Sequence, residues 1–323
     1  MLTKPPSYDT CLLYLWIDRD LGTISAAVRH AVNQTTKRLI VVLASPEFDS
    51  TGHESLVSKW DLVQNLLVLA YVPAAQSAQA RDDPLFSTDV ILVPSASKAA
   101  QQLSEEKWDA VLTLDGVLPP KELVDPSHRT ATLPSTTEQA DDIQAPPPTE
   151  HANASRGSYP VTAIGGTFDY LHPGHKILLS MSAWITTSKL IVGVTDDSLL
   201  VKKANRQYIQ SISSRTASVC AFVKMFKPSI ECDAVPIEDV YGPTAWDPNI
   251  QALVVSRETL NGASSIAQIR SEKSLPPLDL FVIDVISSSS VMLPEHDTAA
   301  LRKDKLSSTH IREWLARRDK APK

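Results

Sequence analysis

From residue 160 onward, short apolar runs alternate with amphipathic stretches, and this alternation constrains the fold more than any other feature of the chain. Candidate strands cover residues 160–164, 190–194, 230–237, 252–256 and 280–286. Candidate helices cover 174–186, 214–227 and 262–273, with a last one at 309–318. The helix at 214–227 is the best marked: Val219, Phe222, Val223 and Phe226 recur at helical spacing, and Pro228 stops it. Strands that alternate with helices build a parallel sheet covered on both faces, and such sheets take ligands at the carboxyl ends of their strands, where the strand order reverses. The pattern predicts an α/β, Rossmann-like, doubly wound parallel sheet over residues 159–323.

The N-terminal part has a similar rhythm. Strand-like runs at 12–17, 38–44, 89–93 and 110–114 alternate with helix-like stretches at 25–34, 54–71 and 96–108. This predicts an additional N-terminal α/β domain over residues 1–123. It contains no phosphate loop, and His30, Asp18 and Asp20 read as surface residues. Residues 124–158 hold Pro126, Pro134, Pro146, Pro147 and Pro148 among Ser, Thr, Ala and acidic residues. That composition buries little apolar surface and reads as a linker.

Charge narrows the ligand class. Residues 1–155 carry 11 Lys and Arg against 20 Asp and Glu, whereas residues 156–323 carry 20 against 17. A mildly basic C-terminal part suits a small anion and is too weak for a nucleic-acid footprint. No apolar run reaches the roughly 18 residues that span a bilayer; the longest candidate, 66–75, contains Pro73. The N-terminus lacks the apolar region of a signal peptide. The expectation is a soluble cytoplasmic protein with no membrane partner. Cys11, Cys220 and Cys232 form neither a disulfide framework nor a zinc spacing, and read as buried thiols.

The most informative stretch is Gly165-Gly166-Thr167-Phe168-Asp169-Tyr170-Leu171-His172-Pro173-Gly174-His175, between a strand and a helix. Two glycines let a phosphate approach the backbone. The helix start points free N–H groups and its positive dipole end at the same space. His172 and His175 lie three apart, so both rings can face one cavity, and Gly174 leaves room between them. A His-x-x-His pair can also be half of a metal site, but no third ligand is evident. A second anion device is Ser307-Ser308-Thr309-His310-Ile311-Arg312: hydroxyls begin a helix, and Arg312, one turn in, is placed for a phosphate fork. Arg302, Lys303 and Lys305 before it read as a solvated basic loop, with a mobile cover over the site as the alternative.

His172-x-Gly174-His175 after Gly-Gly-Thr-Phe-Asp resembles the signature of the HxGH nucleotidyltransferase superfamily. Residues 158–318 resemble the eukaryotic type of phosphopantetheine adenylyltransferase. Supporting segments are Val192-Gly193-Val194-Thr195-Asp196, Tyr241-Gly242-Pro243 with Asp247-Pro248, Val254-Val255-Ser256-Arg257-Glu258-Thr259, and the Ser307 to Arg312 motif. The resemblance implies AMP transfer from ATP to 4′-phosphopantetheine, giving dephospho-coenzyme A and pyrophosphate, with Mg2+ arriving on the triphosphate and no protein metal site. It implies ATP contacts from Gly165, Gly166, His172, Gly174, His175, Ser307, Ser308, Thr309 and Arg312. Arg257 and Glu258 fall where the family binds adenine. His175 and Lys203 are the expected stabilisers of the reacting phosphate, with Lys202 the competing lysine. Thr167 is expected to orient the substrate phosphate, and Asp169 to cap the turn.

Related enzymes share the His-x-Gly-His logic, so nicotinamide-mononucleotide adenylyl transfer, cytidylyl transfer and a noncatalytic scaffold remain alternatives. Cytidylyltransferases usually carry Arg-Thr-x-Gly-Ile-Ser-Thr-Ser, and Lys305-Leu306-Ser307-Ser308-Thr309 lacks that arginine and glycine. No Gly-x-x-x-x-Gly-Lys-Ser/Thr loop follows residue 318, so no fused dephospho-coenzyme A kinase is expected. For the acidic N-terminal domain the expectation is docking or stabilisation, with other coenzyme A biosynthesis enzymes as partners.

Overall fold

The computed structural model describes residues 7–17, 21–49, 55–135, 156–283 and 307–320. They fall into two compact units. The first holds the described residues among 1–52 and 65–145; the second holds those among 53–64, 146–287 and 292–323.

In the first unit β1 (Tyr8–Trp16), α1 (Gly22–Gln34), β2 (Thr35–Ala44), α2 (Trp60–Ala80, of which residues 60–64 count with the second unit), β3 (Ser87–Val93), α3 (Ala96–Gln102), β4 (Ala110–Leu114) and β5 (Arg129–Leu133) follow in order. The sheet is parallel, ordered β3-β2-β1-β4-β5. Leu12, Leu13, Leu39, Ile40, Val41 and Val42 are fully buried within it, the continuous apolar strands expected of a sheet covered on both faces.

Two elements differ from the sequence reading. Strand β5 lies inside the stretch read as linker, where five residues paired from Ala110↔Arg129 to Leu114↔Leu133 are hidden among turn-forming neighbours. Helix α2 runs through Pro73 to Ala80. A proline has no N–H for the carbonyl four residues back, here that of Leu69. The Ser25 hydroxyl donates to that carbonyl at 3.0 Å and replaces the missing bond. Of the three thiols only Cys11 is buried; Cys220 and Cys232 are half-buried.

The second unit contains β6 (Tyr159–Gly166), α4 (Pro173–Ile185), β7 (Thr186–Thr195), α5 (Ile212–Phe226), β8 (Glu231–Ile237), β9 (Ala252–Ser256), α6 (Leu260–Glu272), β10 (Asp279–Ile283) and α7 (Ser308–Lys320). Its parallel sheet is ordered β10-β9-β6-β7-β8. The strand order therefore reverses at β6, and the Gly165-Gly166 pair closes that strand. Residues 284–286 of the last expected strand lie outside the described residues, as do Asp18, Asp20, Arg302, Lys303 and Lys305. No described helix is long and apolar enough to cross a membrane.

Residues 55–64 complete this second unit. Trp60 is fully buried, with its ring 4.9 Å from Phe281, which meets Tyr159 edge-on at 5.5 Å. The Trp184 indole N–H donates to the Leu56 carbonyl at 2.8 Å, and the Val57 N–H to the Gly157 carbonyl at 3.0 Å. Trp60→Ala is expected to destabilise this unit by about 3–5 kcal/mol, the usual range for a buried aromatic truncation. A denaturant titration read from the second unit checks this, and an unchanged midpoint would contradict it.

Candidate active site

The turn from β6 to α4 is held under strain. Phe168 and Tyr170 have φ of 49° and 45°, a left-handed conformation that non-glycine residues adopt only where surrounding contacts enforce it. Those contacts are present. Phe168 is fully buried. The Tyr170 N–H donates to Gln210 Oε1 at 2.7 Å, and its hydroxyl donates to the Tyr208 carbonyl at 2.8 Å. The two left-handed residues flank Asp169 and hold its carboxylate inward, with no exposed surface.

Asp169 is the centre of the site. Its Oδ2 accepts from Arg312 at 2.7 Å, its Oδ1 accepts from the Gln210 N–H at 3.0 Å, and its backbone carbonyl accepts from the Ser308 hydroxyl at 2.7 Å. The N-terminal turn of α7 is thereby fixed to the turn that opens α4. The two motifs, 139 residues apart at Ser308 and Asp169, meet at the turn that follows the carboxyl end of β6.

At the start of α4 the His172 and His175 rings stack with centroids 3.9 Å apart, and Phe168 backs His175 at 5.2 Å. A Cβ on Gly174 would come within 3.2 Å of the His172 ring, so glycine sets the imidazole position. His172 is the N-cap residue, and its side chain makes no capping bond. First-turn amides have no partner within their own helix, which leaves this helix start suited to an anion.

Lys203 completes the cluster. Its Nζ lies 3.5 Å from the Thr167 hydroxyl, and Lys202 makes no such contact among the described bonds. Burial, and then the nearby Arg312 guanidinium, push the Lys203 ammonium below the ordinary lysine range, while the Asp169 carboxylate pulls it back.

Arg312 behaves differently from the sequence reading. Its guanidinium is 2% exposed, with Nε on the Ala204 carbonyl at 3.2 Å, one terminal nitrogen on Asp169 and the other on Thr309 Oγ1 at 3.1 Å. Its fork is thus occupied by protein groups, and Asp169, read as a turn cap, is the carboxylate that holds it. Ser307 Oγ accepts from the His310 N–H at 3.4 Å as a helix cap. Arg257 is exposed in a short turn, Arg257–Thr259, following β9. It stands at the carboxyl end of the strand beside β6. The side chain of Glu258 lies outside the described residues. Among the described residues, no group of three or more His, Cys, Asp or Glu could hold a metal ion.

Sequence reasoning missed Arg215 and Gln210. Arg215, on α5, is fully buried and donates to the carbonyls of Gln210, Thr167 and Thr195 at 2.8–2.9 Å and to Asp197 at 2.6 Å. It ties the carboxyl ends of β6 and β7 together and fixes the backbone of Thr167. A signal was available: Arg215 precedes Val219 by four and Phe222 by seven, so a cation sits on the apolar stripe. The Tyr241-Gly242-Pro243 segment needs its glycine, because Gly242 has φ of 50° and a Cβ there would meet Ile237 at 2.7 Å.

A central strand ending in Gly-Gly, followed by a His-x-Gly-His helix start, defines a nucleotidyltransferase-type fold, and a cytidylyltransferase-like family model matches residues 163–314. A phosphopantetheine adenylyltransferase of Saccharomyces cerevisiae is 44% identical over 155 residues, which are 48% of this chain and 48% of the yeast protein. Proteins of the same name from Methanopyrus kandleri and Pyrobaculum aerophilum are 35% and 33% identical, over 93% and 90% of their own lengths and 44% and 48% of this chain. The chain belongs to the phosphopantetheine adenylyltransferase family. It matches about half the length of the yeast relative.

Proposed function

We propose that the second unit transfers AMP from ATP to 4′-phosphopantetheine, forming dephospho-coenzyme A and pyrophosphate. The observation that carries the reading is the bond from the Ser308 hydroxyl to the Asp169 carbonyl, which brings the hydroxyl-bearing start of α7 to the turn that opens α4. Kinship with relatives named phosphopantetheine adenylyltransferase supports the choice of acceptor.

The reaction brings two polyanions together. A phosphate oxygen of the acceptor forms a bond to the α-phosphorus of ATP as the bond to the bridging β-oxygen breaks and pyrophosphate leaves. Charge repulsion is the main obstacle, so catalysis is positioning plus charge stabilisation. Thr167, with its backbone fixed by Arg215 and its hydroxyl near Lys203, orients the incoming phosphate. His175 and Lys203 stabilise the α-phosphate as charge builds there. His172, the amides of α4 and the Gly165-Gly166 turn hold the triphosphate. Ser307, Ser308 and Thr309 at the start of α7 face the leaving pyrophosphate, and Arg312 acts by positioning that helix. Arg257 and Glu258 serve the adenine end. Magnesium enters as part of the substrate, its ligands drawn from phosphates and water. An ATP-using step on soluble anions fits a cytoplasmic protein.

Lys203→Ala is expected to lower kcat by roughly 100-fold, the lower end of the loss of one preorganised donor. Lys202→Ala should stay near wild type; the reverse order would reassign the lysine. The lowered Lys203 ammonium loses its charge at a lower pH than an ordinary lysine. The alkaline limb of kcat/KM, which reports the free enzyme, should therefore fall early, and Lys203→Arg should move it upward.

The test of the function is an acceptor panel. Purified protein receives ATP or CTP with phosphopantetheine, nicotinamide mononucleotide or phosphocholine, and pyrophosphate release is followed. Release with ATP and phosphopantetheine alone is expected. Release with another pair instead would replace this reading with another nucleotidyl transfer, and none with any pair would leave a scaffold.

A further inference from the structure

The two five-stranded sheets share one strand order, and the likeness extends below topology. Through the first helix and its two strands, position n of the first unit answers to position n plus 151 of the second. Helix α1 (Gly22–Gln34) falls on α4 (Pro173–Ile185), and β2 (Thr35–Ala44) on β7 (Thr186–Thr195). Tyr8 pairs with Thr35 as Tyr159 pairs with Thr186, and the register slips at the same place in both ladders. The Thr35 hydroxyl bonds the Ala31 carbonyl at 2.7 Å, and that of Thr186 bonds the Ser182 carbonyl at 2.7 Å. Ser45 caps the next turn through the Glu47 N–H as Asp196 does through the Ser198 N–H.

Loop lengths then change, but the pairings persist. Arg38 stands opposite Ser87 and reaches Asp89 at 2.7 Å; Lys189 stands opposite Glu231 and reaches Asp233 at 3.6 Å. The Thr10 N–H donates to the Asp109 side chain while the Asp109 N–H donates to the Thr10 carbonyl. Val161 and Gln251 repeat both bonds. Arg81 crosses to the carbonyls of Val32 and Thr35, and Lys227 to those of Trp184 and Thr186. A shared Rossmann-like topology accounts for the strand order. It does not account for side-chain devices repeated at matching register.

We infer that the chain carries the same unit twice, and that the N-terminal copy has had its phosphate site built over, so that it binds no nucleoside triphosphate. The same offset carries Gly165 and Gly166 onto Tyr14 and Leu15, Thr167 onto Trp16, His172 and His175 onto Leu21 and Ile24, and Gly174 onto Thr23. Tyr14 and Leu15, 7% and 3% exposed, put side chains where the second unit leaves bare backbone, and Ile24, 1% exposed, stands buried in the place of an imidazole. Both imidazoles are gone. Function in such folds resides in the site rather than in the sheet, and here one sheet is kept without its site.

The inference rests on reading residues 165–175 as a phosphate site, and one experiment separates the two claims. The full-length chain is titrated calorimetrically with magnesium and α,β-methylene-ATP, beside a His172→Ala/His175→Ala variant. One site per chain in the wild type, weakened at least tenfold in the variant, is the expected result. Two sites per chain, or a site of undiminished affinity in the variant, would overturn the closure of the first unit. Absence of binding to the wild type would agree with that closure and remove the functional reading instead. If the double variant does not fold, labelling of the wild type with 8-azido-ATP and peptide mapping serves: labels confined to residues after 155 support the inference, and a label within β1 or α1 overturns it.

Discussion

Asp169→Ala is expected to destabilise the second unit by about 3–5 kcal/mol, the range for removing one partner of a buried ion pair. The loss exceeds that of a surface pair because Arg312 stays buried with its positive charge unmatched. Asp169 Oδ1 also holds the Gln210 N–H, so a second bond goes with the first. The effect should be local before it is global: amides of α7 should lose protection from hydrogen exchange while β6 and β7 keep theirs. ATP should bind more weakly in the variant, because the α7 helix start is no longer fixed to the turn. If Arg312 instead served as a direct phosphate ligand competing with Asp169, removing the carboxylate would free the fork and tighten ATP binding. Hydrogen exchange and ATP titration on the same variant distinguish the two.

The second large effect falls on His175. His175→Ala should leave the fold intact, since the ring stands at a helix start beside His172 and Phe168. It should lower kcat by about 100- to 1,000-fold, equivalent to roughly 2.7–4 kcal/mol of transition-state stabilisation. The KM for ATP should move much less, because the helix amides and the second motif still hold the triphosphate. A folded variant with near-normal turnover would remove His175 from the chemistry.

Much of this was legible in the sequence because it is local. Gly-Gly followed by His-x-Gly-His between a strand and a helix requires only that its neighbours take their preferred conformations. The Ser307 to Arg312 segment was legible as a helix start for the same reason. Long-range contacts were not. The partner of Arg312 depends on two left-handed residues at 168 and 170, and neither Phe nor Tyr announces that conformation. Nor does the spacing between Lys203 and Thr167 reveal which of two adjacent lysines reaches the hydroxyl. Residues 55–64 read as the start of an N-terminal helix, yet they belong to the second unit, where Trp60 packs on Phe281. The internal repeat escaped because its loops differ in length and the motif residues, the most visible letters, are those that the first copy has replaced.

In the proposed reaction one triphosphate is gripped at both motifs and the acceptor attacks it directly, with no adenylylated protein between. Exchange of labelled pyrophosphate into ATP tests this most directly. Exchange should appear when phosphopantetheine or its adenylylated product is supplied, and vanish without it. Exchange in the absence of any acceptor, or none under either condition, would contradict it.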